Sequence, residues 1–446
     1  MSEEIKALPS FGEAVRVWLR IGCLSFGGPA GQIALLHREV VDDRRWISDK
    51  RFLHALNFCT LLPGPEAQQL ATYLGWLMHG ARGGLAAGAL FVIPGALVML
   101  ALSIVYATLG TVPWIAAVFF CLKSAVLVLV LEAVLRIGRR ALKGSLAWGL
   151  AAVAFVALFF FGVPFPVVVL TAGLIGFLRP ESFAGGAHGA AKDGPMALID
   201  AALDADPGLV QSRAASARRA GLICLALWLV PVLALLPFGG VFADVAWFFS
   251  KMAVVTFGGA YAVLAYAAQE AVQGYHWLSA PEMLAGLGLA ETTPGPLILV
   301  LQFVGFLAGY RGAGGVVGGV LTSALTLWVT FMPCFAYVFL GAPLIERLAG
   351  NRALSGALAE VTAGVVGVIA NLAVWFALHT LFNQTVPLRA AGAAFDAPVL
   401  ASLDAWAAVI ALLAAVVLIV LKQGVLRTLG VCVAASVALH FGLGAI

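Results

Sequence analysis

The sequence predicts an all-α polytopic membrane protein with two inverted-topology repeats and broken, re-entrant helices. Three observations favour this fold. Hydrophobic residues make up 62% of the 446 positions and charged residues only 11%, at a mean hydropathy of +1.02, whereas soluble domains carry about a quarter charged residues. Short motifs recur at a fixed spacing along the chain. Basic residues are distributed unequally among the loops, which indicates membrane orientation.

Thirteen apolar segments account for most of the chain, and each is a candidate membrane crossing or hairpin. The polar stretch 179–219 is rich in Ala, Gly, Asp and Arg, and we interpret it as a loop between two halves. The predicted domains are a first transmembrane repeat (1–178), a cytoplasmic loop with a linker transmembrane helix (179–243), and a second, inverted repeat (244–446). The polar N-terminus shows no cleavable signal peptide.

Composition excludes several functional classes. The six cysteines are scattered without a CxxC pair, which argues against a disulfide scaffold, an iron–sulfur centre or a thiol reductase. The seven histidines show no metal-ligand spacing, and no nucleotide fingerprint is present. We therefore predict no metal, no cofactor, no catalytic residues and no nucleic-acid partner. The expected partners are the lipid bilayer and a small solute, and the sequence leaves open whether the chain forms a homodimer.

The two halves share a pattern of motifs. The run Phe26-Gly27-Gly28 recurs 231 positions later as Phe257-Gly258-Gly259, and Pro63-Gly64-Pro65 recurs at the same spacing as Pro294-Gly295-Pro296. Farther along, matches at a spacing of 239 indicate an eight-residue insertion near 312–320. Such duplication is typical of secondary transporters. Other matched pairs are Arg20 with Lys251, Glu39 with Glu270, Trp46 with Trp277, Ser48 with Ser279, Pro94 with Pro333, and Glu132 with Asn371.

Charge predicts the orientation of each half. Loop 37–51 carries five basic residues and its counterpart 271–282 carries none, so the two loops are expected on opposite sides of the membrane. If all four broken segments are re-entrant hairpins, nine crossings remain, the C-terminus is outside, and only Arg311 and Arg389 among the basic residues are external. The alternative is thirteen full crossings. In the hairpin topology the cytoplasmic parts are the N-terminus, 37–51, Arg82, 136–145, 179–219, 342–356 and 422–427.

The four breaks predict an anion site. Proline and glycine interrupt a helix, and the helix that starts after each break presents free N–H groups and the positive end of its dipole. Glycine lets an anion approach this backbone closely. The alternative is that the glycines serve tight packing and the prolines are kinks. The substrate-binding candidates are Arg20, Ser25, Gly27, Gly28, Pro63, Gly64, Pro65, Lys251, Thr256, Gly258, Gly259, Pro294, Gly295 and Pro296.

Charged residues beside the breaks have further expected roles. Arg20 and Lys251 each lie six residues before a Phe-Gly-Gly run, and cations inside apolar segments are costly. We expect them to attract the anion, with snorkelling to the interface as the alternative. Glu66, Glu291 and Glu132 are candidates for proton coupling, although Lys123 offers charge compensation to Glu132. Nearby polar residues that can bind an oxyanion or a neighbouring helix are Gln32, Thr60, Gln68, Gln69, Thr292 and Thr293.

These motifs resemble the chromate ion transporter family. The resemblance rests on Ser25 to Pro29, His37 to Val41, Arg45-Trp46 and Leu61 to Pro65, and in the second half on Thr256 to Gly259, Trp277-Leu278 and Thr293 to Pro296. It covers both halves and implies efflux of chromate, with sulfate as a close analogue, across the bacterial inner membrane. The proton-motive force is the expected driver.

Three positions differ from the usual pattern of that family. Ala260 follows the second Phe-Gly-Gly run, Glu291 precedes the second Pro-Gly-Pro run, and Glu66 follows the first. The alternatives are therefore an importer or exchanger of sulfate or another oxyanion, and a passive anion channel. A membrane enzyme that reduces chromate is disfavoured, because the chain has no nucleotide fingerprint and no paired cysteines.

Overall fold

A computed structural model describes residues 8–110, 112–179, 197–206, 208–255, 257, 260–344, 352–390 and 392–443. These residues are almost entirely helical, which confirms the predicted all-α polytopic class. Within them, five helices are long and apolar enough to cross a membrane. The helices are α1 (Phe11–Leu24), α2 (Gly28–His37), α3 (Asp49–Thr60), α4 (Glu66–Leu109), α5 (Pro113–Ala141), α6 (Ser145–Phe161), α7 (Phe165–Leu178), α8 (Leu198–Ala205), α9 (Leu209–Leu235), α10 (Gly240–Val255), α11 (Ala260–Gln269), α12 (Ala280–Thr292), α13 (Val300–Gly312), α14 (Gly315–Gly341), α15 (Arg352–Leu381), α16 (Ala405–Ala415) and α17 (Val425–Leu443).

Short irregular turns extend several helices. A π-helical turn follows α2, α11 and α16, and a 3₁₀ turn follows α9 and α14 and precedes α13. The matched positions of the turns after α2 and α11 show that the duplication extends to local backbone geometry. The turns are Arg38–Asp42, Leu236–Phe238, Glu270–Gly274, Leu297–Leu299, Ala342–Leu344, Leu400–Ser402 and Val416–Val420.

Helix α4 reverses direction in its middle. His79 and Gly80 have non-helical backbone angles (φ −131°, ψ 24° and φ 62°, ψ −156°). A Cβ on Gly75 would lie 2.4 Å from the Gly83 carbonyl oxygen, so the parts α4a (66–78) and α4b (81–109) pack side by side as antiparallel helices. Helices α13 and α14 repeat this arrangement in the second half.

The helices flanking the predicted breaks are short. α1, α2 and α3 contain 14, 10 and 12 residues, or about 15 to 21 Å at 1.5 Å per residue, against a hydrocarbon core of about 30 Å. The rings of Phe58 in α3 and Tyr73 in α4a lie 5.6 Å apart. Arg20 in α1 reaches Glu39 at 3.4 Å. Both segments therefore fold back on themselves as hairpins, which is the shape that re-entrant segments require.

One end of the molecule collects the N-terminus and loop 37–51. The His79 ring is 2.8 Å from the Pro9 carbonyl oxygen, and Arg213 donates to the Leu77 carbonyl oxygen at 2.6 Å. In α8, Asp200 accepts from the Ser48 backbone N–H at 3.0 Å and also from Arg51. The polar stretch is thus partly helical, because α8 docks on this loop.

The opposite end collects the matching parts of the second half. Arg311 donates to the Trp277 carbonyl oxygen and to the Glu282 carboxylate, and a Cβ on Gly312 would lie 3.2 Å from Val241 Cβ. Between Arg213 and Leu235, α9 rises about 33 Å and connects the two ends. The loops 37–51 and 271–282 therefore lie at opposite ends, as the inverted repeat predicts.

A β-hairpin departs from the predicted all-helical pattern. β1 (Thr385–Ala390) pairs antiparallel with β2 (Ala393–Pro398). Phe395 of β2 packs on Phe159 and Phe160 of α6, with ring centroids 5.8 and 5.1 Å apart. The strands are too short to show a periodic sequence pattern, and this tertiary contact stabilises them.

Candidate functional site

The first Phe-Gly-Gly break contacts the second Pro-Gly-Pro break. The Gly295 backbone N–H donates to the Ser25 carbonyl oxygen at 2.8 Å, and the Gln32 side-chain amide donates to the Gly295 carbonyl oxygen at 2.7 Å. Ser25, Gln32 and Gly295 are all buried. The two repeats therefore meet through the tips of hairpins that enter from opposite ends of the molecule.

This contact lies at the middle of a long helix. A Cβ on Gly95 would lie 2.0 Å from the Pro294 carbonyl oxygen, so α4b and the second Pro-Gly-Pro break touch through their backbones. Gly95 is the central residue of α4b (81–109), about 21 Å from either end. The contact between the hairpin tips is therefore equally distant from both ends of α4b.

The first Pro-Gly-Pro break is packed in the equivalent way. A Cβ on Gly64 would lie 2.8 Å from the Sγ atom of Cys334, which follows Pro333 inside α14. In the other half, Gly95 follows Pro94 inside α4b. Each Pro-Gly-Pro tip thus packs next to the proline inside a long helix of the other repeat. Small residues at these points permit the close approach.

The backbone at the tips requires glycine. Gly27, Gly28, Gly64 and Gly295 have φ values of 87°, 69°, 123° and 91°, a region that residues with a Cβ rarely adopt. Among the described residues, no side chain caps α2, α4 or the helical turn after Pro296. The first N–H groups of these helices are therefore not satisfied by a capping side chain from the described residues. Pro29 lies in the first turn of α2, while Pro65 and Pro296 occupy the cap positions.

Buried polar atoms without a partner surround the tips. Within the described part of the chain, the Ser25 hydroxyl and the side-chain oxygens of Gln68, Gln69 and Gln302 are buried and form no hydrogen bond. Unsatisfied buried polar groups are rare and call for an explanation such as a ligand or water. Sequence reasoning missed Gln302, whose amide donates to the Ala96 carbonyl oxygen at 3.0 Å, since only the packing of α13 on α4b brings it to the site.

The two candidate cations have different surroundings. The Arg20 side chain is 60% exposed and forms an ion pair with Glu39, which is 1% exposed and also binds Arg44. The Lys251 ammonium group lies 5.9 Å from the centroid of the Trp247 ring. Within the described residues Lys251 has no carboxylate partner. Their contact with an anion stays a prediction, and for Arg20 it competes with the Glu39 pair.

The structure brings two candidate proton-coupling residues together. The Glu291 carboxylate is 6% exposed and accepts a hydrogen bond from the Tyr261 hydroxyl at 2.8 Å. Glu132 lies 3.5 Å from Arg136 on α5, and both act electrostatically on Glu291. Sequence reasoning missed Tyr261, because no motif marks it and only the tertiary structure brings it to Glu291. Glu66 stands apart, at the start of α4 near Cys59.

Three predicted binding residues, Thr256, Gly258 and Gly259, lie outside the described residues. The second Phe-Gly-Gly break therefore stays a prediction. Among the residues that are described, no group of three or more His, Cys, Asp or Glu could hold a metal ion.

Comparisons with known proteins cover both halves of the chain. The family model for the chromate transporter matches residues 12–177 and 243–441. A chromate transport protein of Pseudomonas aeruginosa is 34% identical over 421 residues, which cover 91% of this chain and 90% of that protein. One of Cupriavidus metallidurans is 26% identical over 389 residues, 85% of each chain. No solved structure matches the chain.

The matched ranges contain all four breaks. They confirm the resemblance inferred from the Phe-Gly-Gly and Pro-Gly-Pro motifs. Because the two relatives are transport proteins, they also confirm the expectation of a multi-pass membrane transporter that is not an enzyme. The chain belongs to the chromate transporter family.

Proposed function

We propose that this protein is a secondary transporter that exports chromate, or a related tetrahedral oxyanion, across the bacterial inner membrane. One observation supports this most: uncapped helix starts from the two repeats meet at the middle of α4b, through the bond between Gly295 and Ser25. Helix N-termini carry partial positive charge and free N–H groups, which suit an oxyanion. The two relatives, both named as chromate transport proteins, support chromate as the substrate.

Alternating access follows from the same contact. The α1–α2 hairpin enters from one end of the molecule and the α12–α13 hairpin from the other, so movement of one set of hairpins against the other opens the site to each side in turn. Two hydrogen bonds link the two sets of hairpins: one from the Gly295 N–H to the Ser25 carbonyl oxygen, and one from the Gln32 amide to the Gly295 carbonyl oxygen. Both partners come from one chain, so this mechanism does not require the homodimer that the sequence leaves open.

Protons are the proposed coupling ion. An ionised carboxylate beside the site repels an oxyanion, and this repulsion is strong where water is excluded. Protonation of Glu291 removes this repulsion. The Tyr261 hydroxyl donates to the Glu291 carboxylate, and the charges of Glu132 and Arg136 act on the same group. Glu66 serves the same role at the first Pro-Gly-Pro tip. The proton that leaves with the anion moves against its own gradient, so export is driven by the membrane-potential component of the proton-motive force, which is negative inside and acts on the remaining negative charge.

The end that carries loop 37–51 and α8 is the proposed cytoplasmic side, with the N-terminus. Its basic residues include Arg38, Arg44, Arg51 and Arg213, and short cytoplasmic loops are enriched in Lys and Arg. A cysteine introduced at position 82 is expected to react with impermeant thiol reagents only from the cytoplasmic side. Labelling from the outside would contradict this orientation.

Uptake of radiolabelled chromate into inverted membrane vesicles tests the function. Export predicts uptake that depends on energisation, saturates, and stops when an uncoupler collapses the proton gradient. Uptake that continues unchanged with uncoupler would indicate a passive channel. Faster uptake of radiolabelled sulfate, with chromate only a weak competitor, would indicate a transporter of sulfate. Measuring total cell chromium together with its oxidation state distinguishes export from reduction. Export lowers the total chromium in the cells, whereas reduction changes the oxidation state.

A further inference from the structure

An open cavity of about 370 Å³ lies between the first Phe-Gly-Gly break and the start of α17. One wall is the tip of the α1–α2 hairpin, and the other is the connection from α16 to α17. The cavity offers room for a small oxyanion and is reached by a basic side chain from a segment that the sequence analysis assigned to a cytoplasmic loop. The lining residues are Phe26, Gly27, Gly424, Val425, Leu426 and Arg427.

Two observations place Arg427, the third residue of α17, away from the end of the molecule at which α5 begins. In α17, the Ser436 hydroxyl donates to the carbonyl oxygen of Ala117 at 2.8 Å, close to the start of α5. Arg427 precedes Ser436 by nine residues, about 13 Å along the helix. On the other wall, Gly27 adjoins Ser25, which binds Gly295 at the centre of α4b. An arginine at this depth is costly unless it has a use.

The guanidinium group of Arg427 has unused donors. One nitrogen donates to the side-chain oxygen of Gln423 at 3.0 Å, and Arg427 is exposed. In the part of the chain that the structure describes, no carboxylate forms an ion pair with Arg427, whereas Arg20 is paired with Glu39. A planar guanidinium carries five N–H donors in a fork that matches two oxygens of an oxyanion.

The facing wall also presents donors. Nothing lies within 4 Å of the position that a Cβ on Gly27 would occupy, so the backbone is accessible from the cavity. Gly27 is the cap residue of α2, which no described side chain caps. The neighbouring Ser25 hydroxyl is fully buried without a partner among the described residues. Positive charge and N–H donors therefore face each other across the cavity.

We propose that Arg427 is a binding residue for the transported oxyanion, which it holds against the backbone of Gly27 and the start of α2. The inference rests on the proposed function and extends it, because it adds a basic residue from the last helix to a site otherwise made of hairpin tips. Arg427 thereby couples occupancy of the site to the position of α17. The ligand class is a doubly charged tetrahedral oxyanion, with chromate as the probe.

The test measures initial rates of chromate uptake by the purified full chain in proteoliposomes. Arg427→Gln is expected to raise the KM for chromate by about 10- to 100-fold, because it removes a charge-assisted pair of hydrogen bonds. The kcat should be retained. Arg427→Lys keeps the charge without the fork and is expected to recover part of the loss. Lys422→Gln is the matched control, since it removes a basic residue from the same connection, and its KM should equal that of the wild type.

The outcomes separate this inference from the proposed function. Wild-type liposomes that take up no chromate would refute the function itself. Wild-type transport with an unchanged KM in Arg427→Gln would overturn the role of Arg427 alone. If that variant does not reach the membrane, modification of wild-type Arg427 by phenylglyoxal, read by mass spectrometry, decides the question. Chromate should slow the modification, and an unchanged rate would overturn the proposal.

Discussion

Substituting Gly95 by alanine tests whether backbone contact between α4b and the second Pro-Gly-Pro tip is required. The new Cβ would lie 2.0 Å from the Pro294 carbonyl oxygen and 2.7 Å from a methyl carbon of Leu299. The oxygen belongs to a backbone that cannot move alone, because Gly295 is bonded to both Ser25 and Gln32. The tip must therefore shift by about 1 Å, and overpacking of this kind costs about 1–3 kcal/mol.

Gly149→Ala is the matched control. Gly149 lies inside α6, and nothing is within 4 Å of its added Cβ. Replacing glycine by alanine within a helix stabilises it by about 1 kcal/mol. Both variants gain this helix stabilisation. The difference between their free energies of unfolding therefore measures the cost of packing the new Cβ at position 95. We therefore expect Gly95→Ala to be less stable than Gly149→Ala by about 1–3 kcal/mol.

Two measurements on the Gly95 variant follow. Thermal unfolding of the detergent-purified proteins compares their stabilities, and chromate uptake into inverted vesicles at matched protein levels compares their function. We expect Gly149→Ala to transport as the wild type does and Gly95→Ala to lose most transport although it reaches the membrane. A Gly95→Ala variant that matched the control in both unfolding temperature and transport would refute the close contact between the tip and α4b.

Three further predictions concern the side chains around the tips. Gln32→Met leaves the buried Gly295 carbonyl without the donor of its side-chain hydrogen bond. We expect the free energy of unfolding to fall by about 1–3 kcal/mol, whereas Gln211→Met at an exposed position should leave it unchanged. Glu291→Gln should abolish the dependence of uptake on the proton gradient and Tyr261→Phe should weaken it; retained coupling in Glu291→Gln would exclude that carboxyl. Arg20→Ala and Lys251→Ala should each abolish chromate resistance while the protein still reaches the membrane, and wild-type resistance in both would remove them from the site.

The orientation of the loops was predictable from the distribution of basic residues. The basic residues in loops 37–51 and 271–282 predicted opposite sides, and contacts at Asp200 and Arg311 place those loops at opposite ends of α9. A turn on the cytoplasmic side at Arg82 was expected from the basic loop 136–145, because a full crossing by 52–80 would have put that loop outside. These features were predictable since membrane insertion acts on local composition, which the sequence displays directly.

The environment of each charged side chain was less predictable. Arg20 and Lys251 occupy matched positions in the repeat, yet one forms an ion pair with Glu39 and the other lies near the Trp247 ring. The association of Glu132 with Glu291 also crosses from one repeat to the other. Long side chains reach several ångströms from their backbone, so their partners depend on how the helices pack.

The sequence alone determined the membrane class, the duplicated motifs and the family, because composition and glycine or proline motifs act locally. Only the tertiary structure decided that the first Phe-Gly-Gly break meets the second Pro-Gly-Pro break, and that the meeting point is the centre of α4b. It also placed Arg427 and Gly27 in the lining of one cavity. These pairings join residues up to 400 positions apart, and their geometry follows from helix packing and close backbone approach at glycine, which no local pattern encodes.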